Sequence, residues 1–137
     1  MRNITPNLCH IVLLCVFAVT LPVTWAVGDV TIPDPGLESA IRNELGLEPT
    51  DPITEGALAG MTYLNANGCG IVELTGLQYC TSLTKLDLWD NQINDLMPLQ
   101  GLTSLRWLGL YGNQISDLTP LQGLTSLTEL ALSYNQI

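Results

Sequence analysis

The segment Cys80–Gly101, CTSLTKLDLWDNQINDLMPLQG, lies without a gap over Leu102–Gly123, LTSLRWLGLYGNQISDLTPLQG, and 14 of the 22 positions are identical. Leu58–Tyr79 fits the same frame with more divergence, and Leu124–Ile137 fits it until the chain stops. The spacing is Leu83-x-x-Leu86-x-Leu88-x-x-Asn91-x-Ile93, then Leu105, Leu108, Leu110, Asn113 and Ile115, then Leu127, Leu130, Leu132, Asn135 and Ile137. A fixed period of this length means one supersecondary unit stacked on copies of itself.

The pattern has a direct physical meaning. Leu86 and Leu88 are two apart, so they share one side of a short strand, while Lys85, Asp87 and Trp89 face the other way. Leu83, Ile93, Leu96 and Leu99 turn inward from the rest of the coil. One coil cannot bury all of these alone, but stacked coils can, with their strands aligned as a parallel sheet. This is the leucine-rich repeat signature of one strand plus a return segment. Asn91, Asn113 and Asn135 follow each strand, where an inward amide can bond the backbone of the next coil. Cys69 takes that place in the first coil, and Cys80 takes the inward place of Leu102 and Leu124. These two cysteines are expected as free, buried thiols, because their corners of the coil lie too far apart for a disulfide.

Outside the repeats the chain has two further parts. Arg2, the apolar run Ile11–Leu21 and the small residues of Thr24-Trp25-Ala26 read as a secretory signal peptide over 1–26. That run is shorter than the roughly 20 residues needed to span a bilayer, so cleavage is expected over anchoring. Residues 27–57 read as a helical N-terminal cap. Asp34-Pro35 opens a helix, Leu37, Ala40, Ile41 and Leu45 form its apolar stripe, and Gly46 stops it. Thr54 can cap a second short helix running toward Leu58. A solenoid end without such a cap would show its leucines to water. Residues 58–137 then hold three full coils and a fourth that stops part-way.

Composition narrows the function. The chain of 137 residues is 47% hydrophobic, only 12% charged, and carries a net charge of −9. After Arg2 there are 3 basic residues against 13 acidic ones, so a phosphate polyanion would be repelled and nucleic acid is excluded as a partner. The lone histidine, His10, lies in the leader, which leaves no imidazole for a triad or a metal site in the mature chain. No phosphate loop or cofactor motif is present. Carboxylates for glycoside hydrolysis could be drawn from Asp87, Asp90 and Glu129, but an open sheet gives little desolvation to tune them. The expectation is a protein that is not an enzyme and holds no cofactor.

The segments Ile32-Pro33-Asp34, Leu37, Ala40-Ile41, Ile53-Thr54 and Leu58 resemble the N-terminal cap of internalin-type bacterial leucine-rich repeat proteins. The coil text Asn-Gln-Ile-x-Asp-Leu-x-Pro-Leu-x-Gly-Leu-Thr-Ser-Leu resembles that family's repeats. The resemblance implies an α/β solenoid: a right-handed leucine-rich repeat horseshoe with short parallel strands on its concave face, after a helical N-terminal cap. It also implies a secreted or cell-surface binding module for a protein or a glycan, with cell-surface adhesion among its uses. A structural spacer of the cell envelope is the alternative. A truncated fragment of a longer surface protein is another, because the chain ends inside a repeat. Membrane association would then come only through an uncleaved leader or a missing C-terminal anchor.

The outward strand slots carry the variation: Tyr63, Asn65 and Asn67; Lys85, Asp87 and Trp89; Trp107, Gly109 and Tyr111; Glu129, Ala131 and Ser133. Four of the six aromatic residues beyond the leader fall in these slots, which marks one face for binding. Tyr63, Asn65, Lys85, Asp87, Trp89, Trp107, Tyr111 and Glu129 are the expected ligand-binding residues. Glu73, Asp95 and Asp117 form an acid ladder in one slot. Each Asp precedes a Leu-x-Pro turn, so a local turn cap is expected there and not a metal site.

Overall fold

The computed structural model describes residues 28–137. The expected signal peptide at 1–26 lies outside them. Two helices come first, α1 (Pro35–Leu45) and α2 (Glu55–Gly60), followed by four short strands: β1 (Tyr63–Asn65), β2 (Lys85–Asp87), β3 (Trp107–Gly109) and β4 (Glu129–Ala131). The strands form one parallel sheet in chain order. Its register advances by one repeat per strand, with Tyr63, Lys85, Trp107 and Glu129 side by side. Each return segment carries a 3-10 turn, at Leu77–Tyr79, Met97–Leu99 and Thr119–Leu121, so parallel strands are joined without long crossover helices.

The core is the stack of inward leucines. Leu64, Leu86 and Leu108, at the strand centres, are fully buried, as are Leu83, Leu88, Ile93, Leu105 and Leu110. Removing each from water is worth about 1.5–3 kcal/mol. Leu130, the matching residue of β4, is 40% exposed because the fourth coil has a neighbour on one side only among the described residues. A coil is thus closed by its neighbours and not by itself.

At the other end the helices supply that neighbour. Asp34 Oδ1 accepts from Leu37 N at 3.0 Å and opens α1, and Gly46, at φ 65°, closes it in the left-handed conformation. Leu37, Ala40 and Ile41 are buried in the same cluster as Leu58 and Leu64. Thr54 Oγ1 accepts from Ala57 N and opens α2. Gly36 lets α1 touch the first coil, because a Cβ there would collide with the Cys69 carbonyl oxygen.

The asparagines serve the backbone, but in the reverse of the expected direction. Asn91 Oδ1 accepts from Cys69 N and Ile71 N, at 3.1 and 3.0 Å, and Asn91 Nδ2 donates to Ala66 O at 2.9 Å. All three partners belong to the preceding coil. Asn113 and Asn135 repeat the reach, accepting from Ile93 N and Ile115 N and donating to Leu88 O and Leu110 O. The side chain points back along the stack, so an amide in the first coil would have no earlier coil to serve. Cys69 stands where that service is not needed.

The cysteines correct a second expectation. Cys80 is free and buried, so the two do not bond to each other. Cys69, however, is not a free thiol: it is disulfide-bonded and only partly buried. Burial pushes the Cys80 thiol from its ordinary 9.0 up to about 12. A thiol whose folded value is raised favours the fold below its unfolded value, and that stability drains away as pH rises between 9.0 and about 12. Cys80 is therefore expected to resist alkylation in native protein at neutral pH and to react only after unfolding. Peptide mapping by mass spectrometry checks this, and prompt native labelling would contradict the burial.

Candidate binding face

The sheet sets out three columns of outward side chains, one strand spacing apart along each column. The first runs Tyr63, Lys85, Trp107, Glu129, and the second Asn65, Asp87, Gly109, Ala131. The third, just past the strands, runs Asn67, Trp89, Tyr111, Ser133. In the first column the Lys85 ammonium sits 5.5 Å from the Tyr63 ring centroid and 5.0 Å from that of Trp107. Two rings thus hold one long cationic side chain in place. Trp107 also meets Trp89 across the columns, with centroids 6.1 Å apart, and Trp89 meets Tyr111 at the same distance.

Of the eight expected residues, Tyr63, Asn65, Lys85, Trp89 and Glu129 are exposed and Asp87, Trp107 and Tyr111 are half-buried. Trp89, Trp107 and Tyr111 are brought into contact, and Lys85 joins them through Trp107 to Tyr63. Glu129 is adjacent to Trp107 in register. Asn67 is not an open slot, because its Oδ1 accepts from Trp89 N at 2.7 Å and fixes the backbone beneath the tryptophan.

Gly109 is also buried, contrary to its place among the outward slots. A Cβ there would collide with Trp89 Nε1 and lie 2.5 Å from Trp107 Cη2 and 2.8 Å from Asp87 Oδ1. The missing side chain is what lets both indoles fold down over the sheet. Asp87 Oδ1 is covered by this arrangement and finds no hydrogen-bond partner among the described residues. Burial raises the Asp87 carboxyl above its usual value, opposed by an Asn67 hydrogen bond, the Lys85 charge and a backbone hydrogen bond from Trp89.

One ring is absent from the expected set. Tyr134 packs on Tyr111 at 4.9 Å and is 77% exposed. It lies one residue beyond the third column, in a slot shared by Gly68, Asp90 and Gly112, all with φ between 53° and 68°. Tyr134 itself has φ 60°. This slot is left-handed in every coil, which suits glycine and costs other residues roughly 1–2 kcal/mol. The signal was present in the sequence as a slot whose glycines alternate with Asp90 and Tyr134.

The acid ladder behaves as turn chemistry. Asp95 Oδ1 accepts from Met97 N and Asp117 Oδ1 from Thr119 N, both at 2.8 Å, which bears out the local cap. Hydrogen bonds from the Thr119 side chain and backbone hold the Asp117 carboxyl below its usual value. Glu73 instead accepts from its neighbour Thr75.

Comparison with known proteins places this geometry. Residues 81–137 match the model of the leucine rich repeat family. An internalin (inlF) from Listeria monocytogenes superposes with a TM-score of 0.73 at 38% identity, over 75% of this chain and 31% of that one. The chain has the leucine-rich repeat fold of the internalins, which it resembles. The functional domain of InlJ from Listeria monocytogenes, described as including a cysteine ladder, superposes with a TM-score of 0.72 at 33% identity, over 76% of this chain and 23% of that one. In sequence, Internalin H of Listeria monocytogenes is 42% identical over 66 residues, 47% of this chain and 12% of that protein. The match therefore spans about an eighth of the Internalin H length. This chain's own repeats use asparagine in the slot after the strand from the second coil onward, with Cys69 the exception.

Proposed function

We propose that this chain is an exported, cell-surface or secreted binding module that recognises a protein through its concave aromatic face, without catalysis. The observation that carries this is the unbroken run of rings Trp107–Trp89–Tyr111–Tyr134, with successive centroids 6.1, 6.1 and 4.9 Å apart. Large, stiff aromatic side chains supply contact area at small entropic cost and anchor interfaces. Neighbouring rings are inclined by 43°, 54° and 57°, so they make separate clefts and not one flat platform. Clefts of this kind suit side chains of a protein better than the face of a sugar ring.

A purely structural role has its own support, since Trp89 and Trp107 cover Gly109. The two readings separate in the variant Trp89→Ala/Trp107→Ala. Wild-type protein is immobilised and the extracellular proteins it retains are identified by mass spectrometry, then the variant is run beside it. Recognition predicts that at least one retained protein is lost by about a hundredfold or more while circular dichroism is unchanged. If both forms retain the same set, and the variant only melts earlier, the face is a sheet cover.

A further inference from the structure

We propose that the notch over Gly112, between Asp90 and Tyr134, is a subsite for an arginine side chain of the protein partner. The inference rests on the concave face being a recognition surface. The notch is built by the left-handed slot that follows each strand. Asp90, Gly112 and Tyr134 occupy this slot in three successive coils. The backbone of this slot stays in parallel register, since Asp90 N bonds Tyr111 O and Gly112 N bonds Ser133 O. Asp90 and Tyr134 therefore stand roughly two strand spacings, about 9.6 Å, apart, with a residue lacking any side chain between them.

The walls have complementary chemistry. A Cβ on Gly112 would collide with Asp90 Oδ1, so the carboxylate leans into the gap toward the Tyr134 side. Asp90 is exposed and makes no ion pair or side-chain hydrogen bond with the described residues. The Tyr134 ring is exposed and braced against Tyr111. A guanidinium is planar and always charged. It can give forked hydrogen bonds to a carboxylate while its face lies on an aromatic ring. Lysine offers only a point charge and an apolar side chain offers no partner to Asp90. The excess of 13 acidic over 4 basic residues favours a basic partner surface at long range as well. Lys85, the cation among the outward slots, is held between Tyr63 and Trp107.

The slot also makes the test sensitive. Its other occupants, Gly68 and Gly112, are what its backbone prefers, so Asp90→Gly and Tyr134→Gly relieve strain. A residue kept for structure would destabilise when removed. At Asp90 stability and binding should move in opposite directions. The full chain is titrated with N-acetyl-arginine amide, and separately with N-acetyl-norleucine amide, while backbone amide chemical shifts are followed. The expected result is saturable movement of Asp90, Gly112 and Tyr134 with the arginine probe and none with norleucine. Asp90→Asn should weaken that binding about tenfold, the value of one charge-assisted hydrogen bond. Asp90→Gly should weaken it while raising the thermal midpoint, and Tyr134→Gly should weaken it with its strain relief offset by the lost Tyr111 contact. Equal responses to the two probes, or unchanged affinity in Asp90→Asn, would overturn the subsite. If the arginine response fails while retention of a partner still depends on Trp89 and Trp107, the notch falls and the recognition face stands.

Discussion

Asn91→Ala should lower the unfolding free energy by about 3–5 kcal/mol, while Asn135→Ala, in the same slot two coils later, should cost about 1 kcal/mol. The difference follows from what each amide serves. Asn91 is 7% exposed and satisfies two backbone N–H groups, on Cys69 and Ile71, while donating to Ala66 O and Leu88 O. Alanine leaves these groups without a partner, and each buried unsatisfied donor costs roughly 1–3 kcal/mol. Asn135 accepts from Ile115 N alone, donates to Leu110 O and Leu132 O, and is only half-buried among the described residues, where water can replace it. Urea denaturation of both variants measures the contrast. Asn91→Asp sharpens it, because the carboxylate keeps the two acceptor contacts but sets an anion against the Ala66, Leu88 and Trp89 carbonyls that the amide group now serves. It too should be strongly destabilising. Equal losses at Asn91 and Asn135 would mean the ladder contributes through packing and not through hydrogen bonds.

The same residues mark where the fold could be read in advance. The period of the leucines decides which side chains face inward, because a coil has no other way to bury them, and Leu86 and Leu108 lie as the spacing requires. Asp34, Gly46 and Thr54 cap and stop the helices at the expected places, since capping is a local property of three or four residues. The direction of the asparagine bonds was not legible. A repeat is symmetric in text, and only the tilt of the side chain against the stack decides whether it serves the coil before or after. The binding face was legible as slots but not as a surface. Gly109 reads as an outward gap, yet its emptiness draws two indoles over it. Tyr134 lies outside the outward slots, yet its backbone sends the ring onto Tyr111. In each case neighbouring coils, and not the residue's own repeat, set the outcome. The disulfide state of Cys69 likewise has no counterpart in the spacing within one coil.

Asp34→Ala is the second large effect, expected at about 3 kcal/mol, against about 1 kcal/mol for Thr54→Ala. Both residues cap a helix, so a cap alone cannot account for the gap. Asp34 is 6% exposed and divides its carboxylate: Oδ1 takes the Leu37 N–H of its own helix, and Oδ2 takes Val72 N at 2.8 Å and Glu73 N at 3.3 Å. The second oxygen thereby ties α1 to backbone of the first coil. It complements what Asn91 does there for Cys69 and Ile71, so the first coil's return segment is served from both sides. Thr54 caps only Ala57, within its own helix. Asp34→Asn separates the two duties: the cap oxygen remains, but an amide N–H now faces two N–H donors, and the loss should fall between those of the other variants. Hydrogen exchange at Val72 and Glu73 reads the link directly. Their protection should vanish in Asp34→Ala and persist in Thr54→Ala. If both variants lost it equally, the helices would be held by the burial of Leu37, Ile41 and Leu58 alone, and the carboxylate would be no more than a helix start.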